Sequence, residues 1–481
     1  MDYRAKNTKI TAKISDRKCE PEFLQDLYEA GLDVAWFNTA HQDEAGTLFA
    51  MNNVRAVSDK IAIMIDTKGP EIRTINFDDE PKEYAIGDKV KLTGDVSKHD
   101  HANNVIAVDY PNFHKEVPVG KVILIDDGSL GLTVERVESD AIVCNIDNVG
   151  IIKKRKSVNV PNTSIDLPTL TEKDHQFLIF SAQNNVDFIA HSFVRSKEDV
   201  FQVRNVLDAH GGQGIKIIAK IENREGVDNI EEILDHADGV MVARGDLAVE
   251  VPAAEVPLIQ KTMIEAAAKR GKLSFVATQM LDSMIENPRP TRAEVSDIAT
   301  AILDGADSTC LSGETAYGDY PVEAVQTMSR VSLDLKKNRP HTNPYNIKSL
   351  KGASRREYFF AKSAFEAAVE LNVGAIIVPT VSGRTAEHIS SFRSRKPIFA
   401  FSHDARVRRQ LMAKHAVRVE PIAEIIQDTD TLVTLCVKQL IESGQIEEDT
   451  IIAVVAGTSY PAPKRCSFFE VGAAKDLLKT D

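Results

Sequence analysis

Three side chains of this 481-residue chain stand where they could act together: Lys220, Glu222 and Asp246. The apolar run Ile215–Ile221 ends in Lys220 and Glu222, and the run Gly239–Ala243 leads through Arg244 and Gly245 into Asp246. Both runs have the length and β-branched content of buried strands. Between them, NREGVDNIEEILDHAD predicts a loop and one helix, with Val227, Ile230, Ile233 and Leu234 as its apolar stripe. The result is a βαβ unit with an ammonium and two carboxylates at the carboxyl ends of its strands. In parallel sheets that edge binds ligands. A lysine and two acids converging there suit a hard cation beside an anionic substrate.

The elements that must carry these residues follow from the periodicity. TKITAKI (8–14) alternates as a strand, and a helix begins at Pro21 and Glu22 and is capped by Gly31. A strand VAWFN (34–38), a helix through 42–57 and a strand IAIMID (61–66) complete three β–α repeats. From about Thr74 to Val158 helical periodicity gives way to short strand-like runs broken by Gly, Asp and Pro. This predicts a small, mostly antiparallel β domain inserted at the carboxyl end of a strand, where it can act as a lid. The repeat resumes near Asn159 with strands at 188–193, 215–221, 239–243, 273–278 and 308–313. The helix from Val256 to Lys269 places Ile259 and Met263 on a core stripe. Three strands before the insert and five after it make the eight of a (β/α)₈ TIM barrel. The stretch from Asn338 (NRPHTNPYNIKSLKG) has linker composition, and the region beyond it predicts an open α/β domain of about four strands. The expected domains are therefore a barrel from 1–74 and 159–338, a β lid from 75–158, and a C-terminal α/β effector or oligomerisation domain from 339–481.

Composition narrows the class. Hydrophobic content of 43% with 27% charged residues belongs to a globular protein with full-sized cores. The formal net charge of −13 argues against nucleic acid as a partner. No run reaches the ~20 apolar residues of a membrane span, and MDYRAKNTK has no apolar signal core, so a cytoplasmic protein is expected. The five cysteines are scattered without a CxxC pair, as free thiols of a reducing compartment are. The one dense cationic run is Lys153, Lys154, Arg155 and Lys156, which by itself fits a solvated turn equally well.

Several stretches together resemble pyruvate kinase. They are DTKGPEIRT (66–74), the DDG turn (126–128), SVNVP (157–161), SFVR (192–195), KIENREG (220–226), MVARGDL (241–247), ATQMLDSMIENPRPTRAE (277–294) and DGADSTCLSGETAYGDYP (304–321). The resemblance spans nearly the whole chain and includes the position of the insert. It implies Mg²⁺-dependent (or Mn²⁺-dependent) transfer of phosphate from phosphoenolpyruvate to ADP, giving ATP and an enolpyruvate that is protonated to pyruvate. Glu222 and Asp246 match the metal ligands, and Lys220 the lysine that stabilises the transferring phosphoryl group and the enolate. The amides of Gly245 and Asp246, with Thr278, match the carboxylate-binding position. Thr278 and Ser312 match residues associated with protonation, working through ordered water because hydroxyls are poor acids. Arg73, His41 and Lys156 match groups near the nucleotide phosphates, although a lone His at a strand end is often structural. Asn38, Asp66 and Thr67 match three K⁺ ligands, and Glu71 is the residue of K⁺-dependent members. Thr380, Ser382, Gly383, Arg384 and Thr385 resemble the loop that holds a sugar-phosphate effector, though SGRT before a helix is also a good cap. A homotetramer is the usual assembly.

The chain departs from the family pattern at Trp36, at Ala40 and at the pair Ser15-Asp16. Trp36 replaces an arginine that contacts the transferring phosphate, exchanging a cationic fork for one N–H donor. Loss of such a contact is worth roughly 10²–10³ in rate. Ala40 replaces a serine that ligates K⁺, with Thr39 or a water as the substitute, and Ser15-Asp16 stands in place of Gly-Pro. Two other readings therefore stay open: a degenerate member that binds without turnover, and another Mg²⁺-dependent enzyme of a pyruvate enolate on the same barrel.

Overall fold

The computed structural model describes residues 2–40, 42–77, 82–338, 345, 347–423, 426–457 and 466–478. Eight parallel strands close into a barrel in chain order: Lys9–Lys13, Val34–Asn38, Ala62–Asp66, Phe188–His191, Lys216–Ile221, Gly239–Ala243, Leu273–Ala277 and Ser308–Leu311. Closure follows from the pairing of the first strand with both the second and the eighth. Strand parity sorts the side chains. Ala35 and Phe37 of the second strand point outward into the layer of surrounding helices. Val34 and Trp36 point inward and pack with Met64, Phe188, Ile218, Met241 and Phe275. The barrel interior is thus a filled apolar core, as in other barrels of this size. Helix Pro21–Ala30 starts on a proline and stops at Gly31, whose φ of 117° favours glycine.

Between the third and fourth barrel strands a six-stranded sheet folds around its own core of Tyr84, Leu92, Phe113, Ile123, Leu132 and Ile142. Its pairings are antiparallel except for one parallel pair, Lys89–Thr93 with Val105–Ala107. Two chain segments join it to the barrel, and they pair with each other through an antiparallel bridge between Arg73 and Ser157.

Two expectations need correction. The segment between the fifth and sixth barrel strands is not one helix but two, Arg224–Asp228 and Ile230–His236, because Asn223 caps Gly226 and Asn229 restarts the chain. The C-terminal sheet has five strands rather than about four. Its fifth, Cys466–Ala473, runs antiparallel beside Ile451–Gly457 with a register shift at Ala456/Gly457. That break, within a stretch lacking clean alternation, hid the strand from a periodicity argument.

The C-terminal domain seals the amino end of the barrel. Asp307, just ahead of the eighth strand, lies 3.1 Å from Arg393 and 3.2 Å from Lys414, and all three side chains are buried. Burial would raise the Asp307 carboxyl; Arg393 and Lys414 overcome it and hold it below the usual range. Asp187 at the neighbouring rim takes Arg409 at 2.9 Å and Arg55 at 3.0 Å. Breaking a buried pair leaves a charge without compensation. Asp307→Ala is expected to cost ~3–5 kcal/mol, since two buried cations lose their partner. Denaturant unfolding checks this, and a loss below about 1 kcal/mol would show that water reaches the cluster.

Candidate active site

The carboxyl ends of the barrel strands gather the predicted residues on one rim. Lys220 Nζ lies 3.0 Å from Glu222 Oε1 and 3.1 Å from Asp66 Oδ1, and donates to Ser192 Oγ at 2.7 Å. Alternation places Lys220 and Glu222 on the inward face of one strand, and Asp66 arrives from the end of the third. Burial by itself would depress the ammonium; Asp66, Glu222 and Asp246 outweigh it and set its pKa above the ordinary lysine value. Lys220 is therefore a permanent cation. Its expected partner Asp246 contributes only at longer range, and the direct second contact is Asp66.

Glu222 accepts the Phe193 amide at 2.6 Å. Burial raises its carboxyl to about 7 against the pull of Lys220, with Asp246 adding to the rise. Asp246 is raised by burial as well, and Asp127 of the insert adds to that. Two carboxylates that both resist ionisation, one beside the other, fit a divalent cation that would neutralise them. Among the described residues no three or more His, Cys, Asp or Glu side chains cluster as a protein-only metal cage. A cleft of about 620 Å³ opens beside the pair, lined by Glu71, Ser157, Asn159, Phe193, Glu222 and Asp246 from both barrel and insert.

Thr278 follows the seventh strand with φ of 69°, and Gln279 follows at 53°. A β-branched residue in the left-handed region is held there against its preference. Two contacts hold it. The Gly245 amide donates to Thr278 Oγ1 at 2.6 Å, and Arg244 donates to the Thr278 and Gln279 carbonyls at 2.8 and 3.3 Å while pairing with Asp297 at 2.7 Å. The Gly245 amide expected to meet substrate is thus spent on Thr278. A Cβ on Gly245 would meet Thr278 at 3.4 Å, ordinary contact, so the protein itself does not demand glycine there. Arg244 was legible only as a charge after a strand; its fork depends on a turn that tertiary packing creates. Arg244→Lys is expected to lower kcat roughly 10–100-fold, because an ammonium cannot bridge two carbonyls and a carboxylate. Steady-state kinetics decide it, and an unchanged kcat would show that the turn holds without the fork.

Ser312 Oγ is buried and has no hydrogen-bond partner among the described residues, while its amide donates to Glu314 Oε2 at 2.7 Å. Arg73 and Lys156 sit on the two segments that join the insert to the barrel. Arg73 pairs with Glu71 at 2.7 Å and donates to the Arg155 carbonyl at 2.7 Å, and Lys156 pairs with Asp126 at 2.8 Å. Both are tied to neighbours at the junction of the two segments, and neither lines the cleft. His41 lies outside the described residues.

The remaining predicted oxygens are partly engaged. Asn38 Oδ1 accepts the Ala40 amide at 3.0 Å, and Thr67 accepts Ser192 Oγ on its carbonyl at 2.8 Å. Thr39, beside Ala40, is buried and its hydroxyl donates to the Asp66 carbonyl at 2.7 Å, which leaves the oxygen lone pairs as acceptors. In the C-terminal domain Thr380 Oγ1 accepts the Gly383 amide at 3.0 Å, and Arg384 pairs with Glu357 at 3.2 Å, leaving Ser382 exposed and Thr385 half-buried.

A closed parallel barrel with an inserted β domain, and an ammonium beside two neighbouring carboxylates at the carboxyl ends of its strands, is the class of architecture that can seat a cation next to an anionic substrate. Comparison with known proteins gives the family. Residues 5–325 match the family model "Pyruvate kinase, barrel domain", and residues 359–471 match "Pyruvate kinase, alpha/beta domain". The chain is 44% identical over 476 residues to the pyruvate kinase of Borreliella burgdorferi, covering 99% of each. It is 40% identical over 479 residues to that of Geobacillus stearothermophilus, covering 98% of this chain and 81% of the relative. The crystal structure of a pyruvate kinase from Cryptosporidium parvum superposes with a TM-score of 0.91 at 34% identity, covering 98% of this chain and 97% of that one. The chain belongs to the pyruvate kinase family.

Proposed function

We propose that this chain transfers the phosphoryl group of phosphoenolpyruvate to ADP and releases pyruvate and ATP. The observation that carries the reading is Lys220, fixed by Asp66 and Glu222 at 3.1 and 3.0 Å beside the Asp246 carboxylate. In this reading Glu222 and Asp246 hold Mg²⁺ or Mn²⁺, and the bound ion supplies positive charge for the phosphoryl and enolate oxygens. Lys220 stabilises the same developing charge from the protein side. Thr278 and the Asp246 amide orient the substrate carboxylate, and the Gly245 amide joins them only by exchanging its bond to Thr278 for one to the substrate. Arg73, Lys156 and His41 serve the nucleotide phosphates, and the two hinge residues would change partners as the lid closes. Ser312, with its unpartnered hydroxyl, and Thr278 hold a water that protonates the enolate.

Asn38, Asp66 and Thr67 are the K⁺ ligands of this reading, but their fit is incomplete: Ala40 offers no side-chain oxygen and Asp66 already faces an ammonium. The Thr380–Thr385 loop is proposed for a sugar-phosphate effector, the assembly is a homotetramer, and the compartment is the cytoplasm. Among the described residues no helix is long and apolar enough to cross a membrane.

The test is pyruvate release from phosphoenolpyruvate with ADP and Mg²⁺, in K⁺ and in Na⁺. Turnover that requires ADP, stops on chelation and is faster in K⁺ is the expected result. Equal rates in K⁺ and Na⁺ would remove K⁺ from the reading. Trp36, buried in the barrel core, favours one competing reading, a member with silenced transfer. Turnover absent from the natural chain and restored by Trp36→Arg would establish it.

A further inference from the structure

One cation on the rim of the site has no role in the mechanism above. Lys13 ends the first barrel strand, and its Cα is in register with Trp36 on the second. Parity with Thr11, whose hydroxyl meets Ser308 Oγ at 2.8 Å across the neighbouring strand, turns Lys13 into the barrel mouth. There its ammonium lies 4.3 Å from the centroid of the Trp36 ring and 3.8 Å from Asp66 Oδ2. The opposite oxygen of Asp66 takes Lys220 at 3.1 Å, so one carboxylate stands between two lysines.

Lys13 Nζ makes no hydrogen bond among the described residues. The indole gives it only a π face, and the Asp66 oxygen is beyond hydrogen-bond distance. The Lys13 side chain is 20% exposed, while Asp66 is 4% exposed, so of the two it is the lysine that solvent reaches at the barrel mouth. An ammonium stacked on an aromatic ring, with its donors unfilled at the mouth of a phosphoryl-transfer site, is shaped to receive an anion. The charge count agrees. Once Glu222 and Asp246 are committed to a divalent cation, Asp66 is the single carboxylate left for Lys13 and Lys220. The net positive charge of that wall matches a phosphoryl group.

We propose that Lys13 binds the transferring phosphoryl group directly, as a second fixed cation opposite the metal position, with Trp36 as the platform that aims it. This rests on the phosphotransferase reading given above. Burial pulls the Lys13 ammonium below the ordinary lysine value against the opposing pull of Asp66; the transfer step itself takes no proton from it and gives it none. The enol P–O bond breaks, the bond to the terminal oxygen of the nucleoside diphosphate forms, and the ammonium stays on the phosphoryl oxygens throughout. The charge that Trp36 removes from the second strand reappears on the residue in register with it.

The experiment compares the natural protein with Lys13→Gln, Lys13→Arg and the double variant Lys13→Gln/Trp36→Arg. It reads kcat and KM for phosphoenolpyruvate, and the affinity for phosphoenolpyruvate with Mg²⁺ but no nucleotide by calorimetry. Trp36 is the only tryptophan of the chain, so its emission in the first three proteins reports whether the ligand reaches the ammonium above it. Lys13→Gln is expected to weaken binding and lower kcat/KM by roughly 100-fold. Lys13→Arg should recover most of that, and the double variant should regain at least roughly tenfold by returning a cation to the neighbouring strand. Affinity and kcat/KM of Lys13→Gln within about threefold of the natural protein would overturn the proposal. If the natural protein binds phosphoenolpyruvate without turnover, the phosphotransferase reading fails while the binding arm still decides Lys13. If Lys13→Gln does not fold, Lys13→Met keeps the apolar stem on the indole, and the same thresholds apply to it.

Discussion

Lys220→Met is expected to lower kcat by roughly 10³-fold, the upper range for removing one preorganised charge from a water-excluded site. The ammonium is held at three points, by Asp66, Glu222 and Ser192, and so costs no reorganisation when charge develops on the substrate. The same contacts predict a second effect. Without Lys220, Asp66 and Glu222 lose their nearest compensating cation, and stability is expected to fall by about 3 kcal/mol, as when one partner of a buried pair is removed. The sign with pH follows from the acids. Unpaired and buried, Glu222 takes up a proton more readily than in the unfolded chain, so the deficit should shrink as pH falls. Circular dichroism and denaturant unfolding at pH 5 and pH 8, beside the turnover assay, separate the two effects. A folded Lys220→Met with turnover within about tenfold of the natural protein would remove Lys220 from the mechanism.

Glu222→Gln has the second largest expected effect, and its readout is metal binding. Replacing one of only two carboxylates at a cation site is expected to weaken Mg²⁺ or Mn²⁺ by at least roughly 100-fold, since even outer-shell changes cost 10–100-fold. The pH dependence is the sharper test. Burial holds the natural Glu222 carboxyl at about 7, so protons compete with the metal below that value. Affinity in the natural protein should therefore rise with pH up to about 7, by about tenfold per unit if one proton is displaced, and then level off. In Glu222→Gln that slope should flatten. Without metal the linkage runs the other way: the folded state holds the proton that the unfolded chain has released, so stability falls as pH rises from the ordinary carboxylate range toward 7. Calorimetric titrations from pH 5.5 to 8.5 check both. An equal slope in the two proteins would move the titrating group away from Glu222.

The chain by itself was enough for the barrel count, the inserted sheet and the triad Lys220, Glu222 and Asp246. Each rests on a local signal: period-2 runs, breaks of Gly, Asp and Pro, and charges closing buried strands. It also carried the family, through motifs too long to coincide by chance. Other features were beyond a local pattern. The split of the helix after Glu222 goes with the cap at Asn223 and the break at Asn229, whose side chain donates to the Arg195 carbonyl, and the last C-terminal strand carries a register shift. Arg244 and Lys13 were plain charges in the sequence, one after a strand and one at the end of another. Periodicity says that Lys13, Trp36, Asp66 and Lys220 all face inward, but not which of them share a level. Strand stagger and barrel closure decide that. They set Asp66 between two lysines that come from opposite sides of it, and they lay one ammonium on the indole that took the place of a guanidinium. Residue type and spacing therefore determined which chemistry the chain carries. Only the closed barrel determined which charges meet, because an electrostatic contact depends on distances that the chain sets by folding back on itself.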